Sequence, residues 1–221
     1  MILRPALATD PRLAAGFTTR AFASQDEPLD DVRARLGAAE GVADVASVGQ
    51  VHGADVAVVT TGGHVEAHDG LVTNVPGVLL TVLSADCALV LFADAGAGVV
   101  GACHAGWRGT VAGVVGKTVA AMRTLGAERI VAAIGPCISP EAFVVGDEVA
   151  GQFPASSVVR RPEWPRPHVD LGTDLARQLA EVGVDQVDVS GECTVAGVDR
   201  FFSYRAEVGR TGRMIGFVGL R

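Results

Sequence analysis

The stretch that most restricts the fold of this chain is GVLLTVLSADCALVLF, residues 77–92, which is apolar at nearly every position. A half-exposed strand alternates apolar and polar residues, whereas a strand covered on both faces reads as a continuous apolar run. Ser84 and Asp86 interrupt this run, so no uninterrupted stretch reaches the roughly 20 apolar residues that span a bilayer. Buried central strands are predicted, not a membrane helix. Similar segments surround it: VASVGQVHGADVAVVTT (45–61), bent or divided around Gly49 and Gly53, then AGVVGACHAG (97–106), RIVAAIGPCISP (129–140) and MIGFVGL (214–220). AAGFTTRAF (14–22), VDVSGECT (187–194) and RFFSYRAEV (200–208) are predicted as further strands.

Helical spacing appears between these runs. A short helix is predicted from Pro28 with Val32 and Leu36 one turn apart, and another after CHAGWRGT with Val111, Val114, Val115, Val119 and Met122 in phase, stopped by Gly126. Asp170 reads as the N-cap of a third, carrying Leu171, Leu175, Leu179 and Val182 on one face. The Pro-rich stretch VVRRPEWPRPHVD (158–170) reads as a loop at the surface or at a site. The expectation is an α+β fold, one domain over residues 1–221, with mixed β-sheets flanked by helices. With 221 residues, 49% apolar and 19% charged, the chain can bury a substantial core. The N-terminus lacks a signal-peptide pattern, and Cys87, Cys103, Cys137 and Cys193 form no CxxC pair, so a cytoplasmic protein with free thiols is expected. A net charge of −7 without a dense Lys/Arg run argues against nucleic acid as a partner.

The chemistry-bearing residues sit where strands meet glycine. His52 in QVHGAD and His104 in CHAGW end apolar segments, and Cys87 in SADCALV occupies a comparable place. Two imidazoles and a thiol suit Zn²⁺, and three protein ligands leave a fourth position open, although satisfied core histidines and an inert thiol are the plainer reading of spacing alone. Cys103 and His104 are adjacent on a strand and point to opposite faces, so they do not form a nucleophile and base; Cys103 is expected to pack. His64 and His68 lie in the glycine-bounded GGHVEAHDG, from which Asp69 could still enter a site. Arg20 and Arg205 close β-like segments, and Arg108 and Gly109 open a helix, so all three arginines are candidates for holding an anion.

The ordered set QVHGADV, DGLVT, SADC, CHAGWRGT, IGPCI, FFSYR and TGRM resembles the motifs of the YfiH-like laccase-domain family, long labelled polyphenol oxidases. The resemblance runs from about Phe17 to the C-terminus and implies a YfiH-like, cytotoxic necrotizing factor-like fold. It implies a metal site at His52, Cys87 and His104, and a metal-dependent purine nucleoside enzyme. The implied reactions are phosphorolysis of adenosine, inosine, guanosine or methylthioadenosine, and deamination of adenosine. Zinc is the expected metal, with copper the alternative. Zinc can lower the pKa of a bound water to about 7, which suits deamination. Asp86 and Asp69 are then the candidate proton shuttles, and Arg20, Arg108 and Arg205 the candidate phosphate and substrate contacts. Trp107 could stack on a base. Expected partners are purine nucleosides and phosphate, with no nucleic acid or membrane, in a monomer or small homo-oligomer.

Two other readings stand beside this one. A copper-dependent phenol oxidase fits the label, but multicopper oxygen reduction uses several imidazole-held coppers, and the five histidines include no HxH pair. A non-catalytic, metal-stabilised module touching cell-wall precursors is the other. The chain departs from the family pattern after FTTR, where it reads AFASQDEPLDDVRARLG, and at Cys103, Ala196 and Ala206.

Overall fold

A computed structural model describes residues 1–42 and 44–221. The strands in chain order are β1 (Ile2–Leu3), β2 (Leu13–Thr18), β3 (Asp44–Gly49), β4 (Val56–Val58), β5 (Gly63–Glu66), β6 (Gly70–Thr73) and β7 (Val78–Ser84). They continue as β8 (Ala88–Asp94), β9 (Val99–Ala105), β10 (Val131–Ile134), β11 (Val158–Val159), β12 (His168–Val169), β13 (Val187–Val189) and β14 (Met214–Leu220). The helices are α1 (Leu29–Glu40), α2 (Trp107–Val111), α3 (Val114–Thr124), α4 (Asp147–Ala150) and α5 (Leu171–Glu181).

Two six-stranded sheets carry the fold, one ordered β1-β2-β14-β7-β3-β5 and the other β13-β10-β8-β9-β6-β4. Both are mixed: β3 runs parallel to β7 and β5, while β8 pairs antiparallel with β9 and β10. The 77–92 run becomes β7 and β8, which go to different sheets, and residues 85–87 form the passage between them. Strand alternation then sorts the side chains. Leu80 and Val82 of the first sheet meet Leu89, Leu91, Val100 and Ala102 of the second in one buried cluster between the sheets. The opposite faces are covered by helices. Leu79, Ile215 and Phe217 pack with Val32 and Leu36 of α1, and Val90, Phe92 and Cys103 pack with Val115, Val119 and Met122 of α3 and with Leu175 and Leu179 of α5. Burial on both faces explains why the sequence runs are apolar throughout.

Two local readings are refined and one holds. The helix expected after CHAGWRGT is two helices, because Gly113 adopts φ 75° and interrupts the hydrogen-bond ladder between α2 and α3. Asp170 caps α5 as expected, its Oδ1 accepting the Thr173 N–H at 2.9 Å. RFFSYRAEV, expected as a strand, is a series of turns. Its backbone donors are met by local turns and by side chains rather than by a neighbouring strand: Phe201 N–H by the Gly197 carbonyl (2.9 Å), Ser203 N–H by Glu207 (3.0 Å) and Arg205 N–H by Asp86 (2.7 Å). Phe201 and Phe202 owe their burial to a small cluster with Met214. Among the described residues no helix is long and apolar enough to cross a membrane.

Candidate metal centre and adjoining cavity

The metal-centre geometry follows from strand register. Ala88 of β8 stands opposite Ala105 of β9, so Cys87, one residue before β8, comes beside Gly106, one residue after β9. Gly70 of β6 stands opposite Cys103, which brings Asp69 next to His104. His104 continues the inward row of Val100 and Ala102, while Cys103 points the other way into the packing under α3. Burial pushes the Cys103 thiol up to about 12, as suits an inert core residue.

Asp69 completes the arrangement. Its carboxylate is 0% exposed and accepts the backbone N–H groups of Val51 (3.1 Å), His52 (3.1 Å) and Gly53 (2.6 Å). It also accepts from Nδ1 of His104 at 2.8 Å. One buried side chain thus folds the loop that carries His52 and fixes the ring that faces it. With Nδ1 committed to the carboxylate, Nε2 of His104 is the nitrogen left for a ligand. The loop accepts backbone strain on either side of the site: His52 has φ 60° and Asp86 φ 92°, values unusual for residues with a side chain.

The side chains of His52, Cys87 and His104 each offer one donor atom, all within 4.8 Å of one another. The two imidazole rings meet edge to face at 4.7 Å. Burial pushes the Cys87 thiol up, but the two imidazoles beside it outweigh burial and favour the thiolate. Burial pushes His104 down, and Asp69 and Cys87 outweigh it, so its proton is held more tightly. A thiolate and two imidazoles are a soft-to-borderline donor set, and three ligands leave an open position. The backbone is consistent with the fit: a Cβ on Gly106 would lie 3.0 Å from both Cys87 Sγ and His52 Nδ1 and 3.4 Å from the His104 ring, so glycine keeps the space beside the donors clear. Gly106 has φ −67° and ψ 168°, which alanine also adopts. Gly106→Ala is therefore expected to cut metal affinity by about ten- to a hundredfold, measured by chelator competition, with the melting temperature unchanged.

The cluster opens into a cavity of about 610 Å³. Its walls include Gln50, Ser84, Asp86, Trp107, Phe143, Tyr204, Arg205 and Arg213. A volume of this order holds a small organic ligand. Gln50 is locked to β7 in both directions, its Nε2 donating to Leu83 O (2.8 Å) and its Oε1 accepting Leu83 N–H (2.7 Å). Asp86 reaches the cavity, yet both its oxygens are engaged, one by Thr194 Oγ1 (2.6 Å) and the other by the Arg205 N–H (2.7 Å). Asp86 therefore latches the 201–208 segment over the site, and this occupation weighs against the proton-shuttle role expected of it. Asp69, with four donors on its carboxylate, is placed to orient rather than to exchange protons.

The arginines separate. Arg205 lines the cavity as expected, with Nη1 donating to Ala142 O at 2.8 Å. Arg20 does not line it. Its guanidinium is taken up by Glu207 at 2.7 Å and by the Phe201 carbonyl, and lies over the Phe202 ring. Arg108 does not line it either and lies 4.3 Å over Trp107. The structure therefore does not bring these two to the cavity with Arg205: one guanidinium is held in an ion pair, and the other stacks on the indole beside it in a helix of only five residues. The arginine that sequence reasoning missed is Arg213, although it lies within the TGRM motif. It lines the cavity, and its Nη1 meets the carbonyls of Thr211 and Gly212 rather than a carboxylate. His64 bonds Ser47 at 2.9 Å, and the half-buried His68 bonds the Glu66 carbonyl at 2.6 Å, so neither enters the centre.

Comparison with known proteins identifies the family. Residues 18–221 match the family model described as multi-copper polyphenol oxidoreductase laccase. A Deinococcus radiodurans protein named purine nucleoside phosphorylase is 43% identical over 93% of this chain and 83% of its own length. Escherichia coli purine nucleoside phosphorylase YfiH is 40% identical over 77% of this chain and 72% of its own length. The crystal structure of YlmD from Geobacillus stearothermophilus superposes with a TM-score of 0.85 at 33% identity, covering 96% of this chain and 93% of that one. With a likeness that extends through nearly the whole chain in both sequence and fold, the chain belongs to the YfiH-like laccase-domain family.

Proposed function

We propose that the protein is a metal-dependent purine nucleoside phosphorylase that also deaminates adenosine. The observation that carries this reading is a cluster of three metal-ligating side chains opening into a nucleoside-sized cavity that also presents two arginines without carboxylate partners among the described residues. The names of the similar proteins support it. In phosphorolysis a phosphate oxygen bonds to the ribose carbon C1′, the bond from C1′ to the purine nitrogen breaks, and the electron pair leaves with the base. The products are ribose 1-phosphate and a free purine. Deamination replaces the 6-amino group by oxygen from water and releases ammonia.

A zinc ion held by His52, Cys87 and His104 supplies, when bound, a Lewis acid with one open position. The chain's own groups do the remainder. Arg205 and Arg213 hold the phosphate through guanidinium N–H groups that their carbonyl contacts leave free, and charge-assisted bonds of this kind are the strong ones. Trp107, Phe143 and Tyr204 offer flat apolar surface to a base. Asp69 keeps His104 in one tautomer, and Asp86 keeps Arg205 at the cavity through its backbone.

The oxidase label is the weaker reading. Among the described residues His52, Cys87 and His104 form the one cluster of three such donors, whereas four-electron oxygen reduction draws on several coppers. Arg205→Gln tests the phosphate assignment: its KM for phosphate is expected to rise by about tenfold or more, with the KM for nucleoside little changed. Equal rises in both would contradict it.

A further inference from the structure

Ser84 is the last residue of β7, and it continues the inward row of Leu80 and Val82. His104 continues the inward row of the facing sheet. The two residues are therefore the polar ends of two apolar rows that look at each other across the mouth of the sandwich, and both line the cavity. Ser84 is only 4% exposed, and its Oγ is closed off from solvent without a hydrogen-bond partner among the described residues. A buried hydroxyl without a partner is costly and uncommon in a folded protein. None of the described residues uses this one, although Gln50, its neighbour on the same wall, is bonded through both its amide nitrogen and its amide oxygen.

We infer that the Ser84 hydroxyl, turned into the cavity by rotation about its Cα–Cβ bond, is a substrate contact, and that it receives the 6-substituent of the purine. The inference rests on the nucleoside reading above and names a residue that recognises the base. Charge places the phosphate elsewhere, with Arg205 and Arg213, and leaves a neutral group on the inner wall for a neutral part of the substrate. A serine hydroxyl both donates and accepts, and it rotates to suit. It can accept from a 6-amino group and donate to a 6-oxo group. A group of this kind lets one cavity take adenosine and inosine alike, whereas a fixed donor or acceptor would reject one of them.

Ser84→Ala separates this role from a structural one. Because Oγ makes no bond in the protein, the variant is expected to melt at or above the temperature of the parent. Its KM is expected to rise roughly five- to tenfold for both inosine and adenosine, with kcat little changed. For purine riboside, which has hydrogen at position 6, parent and variant are expected to behave alike. The same pattern is expected in the concentration of inosine needed to raise the melting temperature, a readout independent of turnover. An unchanged KM for inosine, a fall in melting temperature, or an equal loss on purine riboside would each overturn the inference. Should the parent act on no purine nucleoside, the functional reading fails first; an active parent with an indifferent Ser84→Ala overturns this inference alone.

Discussion

Cys87→Ala is expected to remove the metal and the phosphorolytic activity together while leaving the fold in place. Cys87 lies in the passage between β7 and β8, outside the apolar clusters that hold the sheets together. Its loss leaves no large cavity, and the strands on either side keep their pairing. The two imidazoles alone are a poorer site than a three-donor set, and the thiolate is the only anionic donor among the three. Activity is expected to fall by at least about a thousandfold in kcat/KM, the scale of several kcal/mol of lost charge stabilisation. Metal analysis after dialysis, steady-state kinetics and circular dichroism on one preparation check the three parts. Stoichiometric metal in the variant, or activity within about tenfold of the parent, would contradict the assignment of Cys87 as a ligand.

Asp69→Ala is expected to cost stability and metal affinity at once. The carboxylate is wholly buried and bonded to three backbone N–H groups and one imidazole. Alanine takes the acceptor from all four donors and strands the buried His104 imidazole, which costs about 3–5 kcal/mol. In a chain of this size each kcal/mol moves the melting temperature by about 2–4 °C, so a drop of roughly 10 °C is expected by calorimetry. The His52 loop loses its anchor and His104 its orientation, and metal affinity is expected to fall by about ten- to a hundredfold. Asp69→Asn keeps the shape but can accept fewer of the four bonds, and should fall between parent and alanine in both measurements. A melting temperature for Asp69→Ala within about 2 °C of the parent would contradict this account of the carboxylate.

Much of the fold was legible because burial on both faces leaves a plain mark. The apolar run of 77–92 and the phase of Val115, Val119 and Met122 are direct consequences of strands and helices that must hide their surfaces. The strand expected over 200–208 was misread for the same reason. Phe201 and Phe202 are as buried as strand residues, but their segment satisfies its backbone through turns and through Asp86 and Glu207, more than a hundred residues away in one case and local in the other. Periodicity carries no trace of such bonds.

The candidate centre was legible as far as residue type and motif order reach. His52, Cys87 and His104 come together as expected. Asp69 was visible only as a residue that could enter the site, because its role depends on the pairing of β6 with β9. The arginines show the limit most clearly. Arg20, Arg205 and Arg213 all flank strand-like segments, and which of them faces the cavity is decided by partners distant in sequence, such as Glu207 for Arg20. Ser84 was read as an interruption of an apolar run, and only the facing sheets give its hydroxyl a place to act.

The central claim is that one metal centre and one arginine-bearing cavity carry phosphorolysis. It is tested most directly by incubating the metal-loaded protein with inosine in the presence and absence of phosphate and quantifying both products. The account predicts hypoxanthine and ribose 1-phosphate in equal amounts, only when phosphate is present, and neither with Cys87→Ala. Base release without phosphate, or no free base from adenosine, inosine, guanosine or methylthioadenosine under any of these conditions, would contradict it.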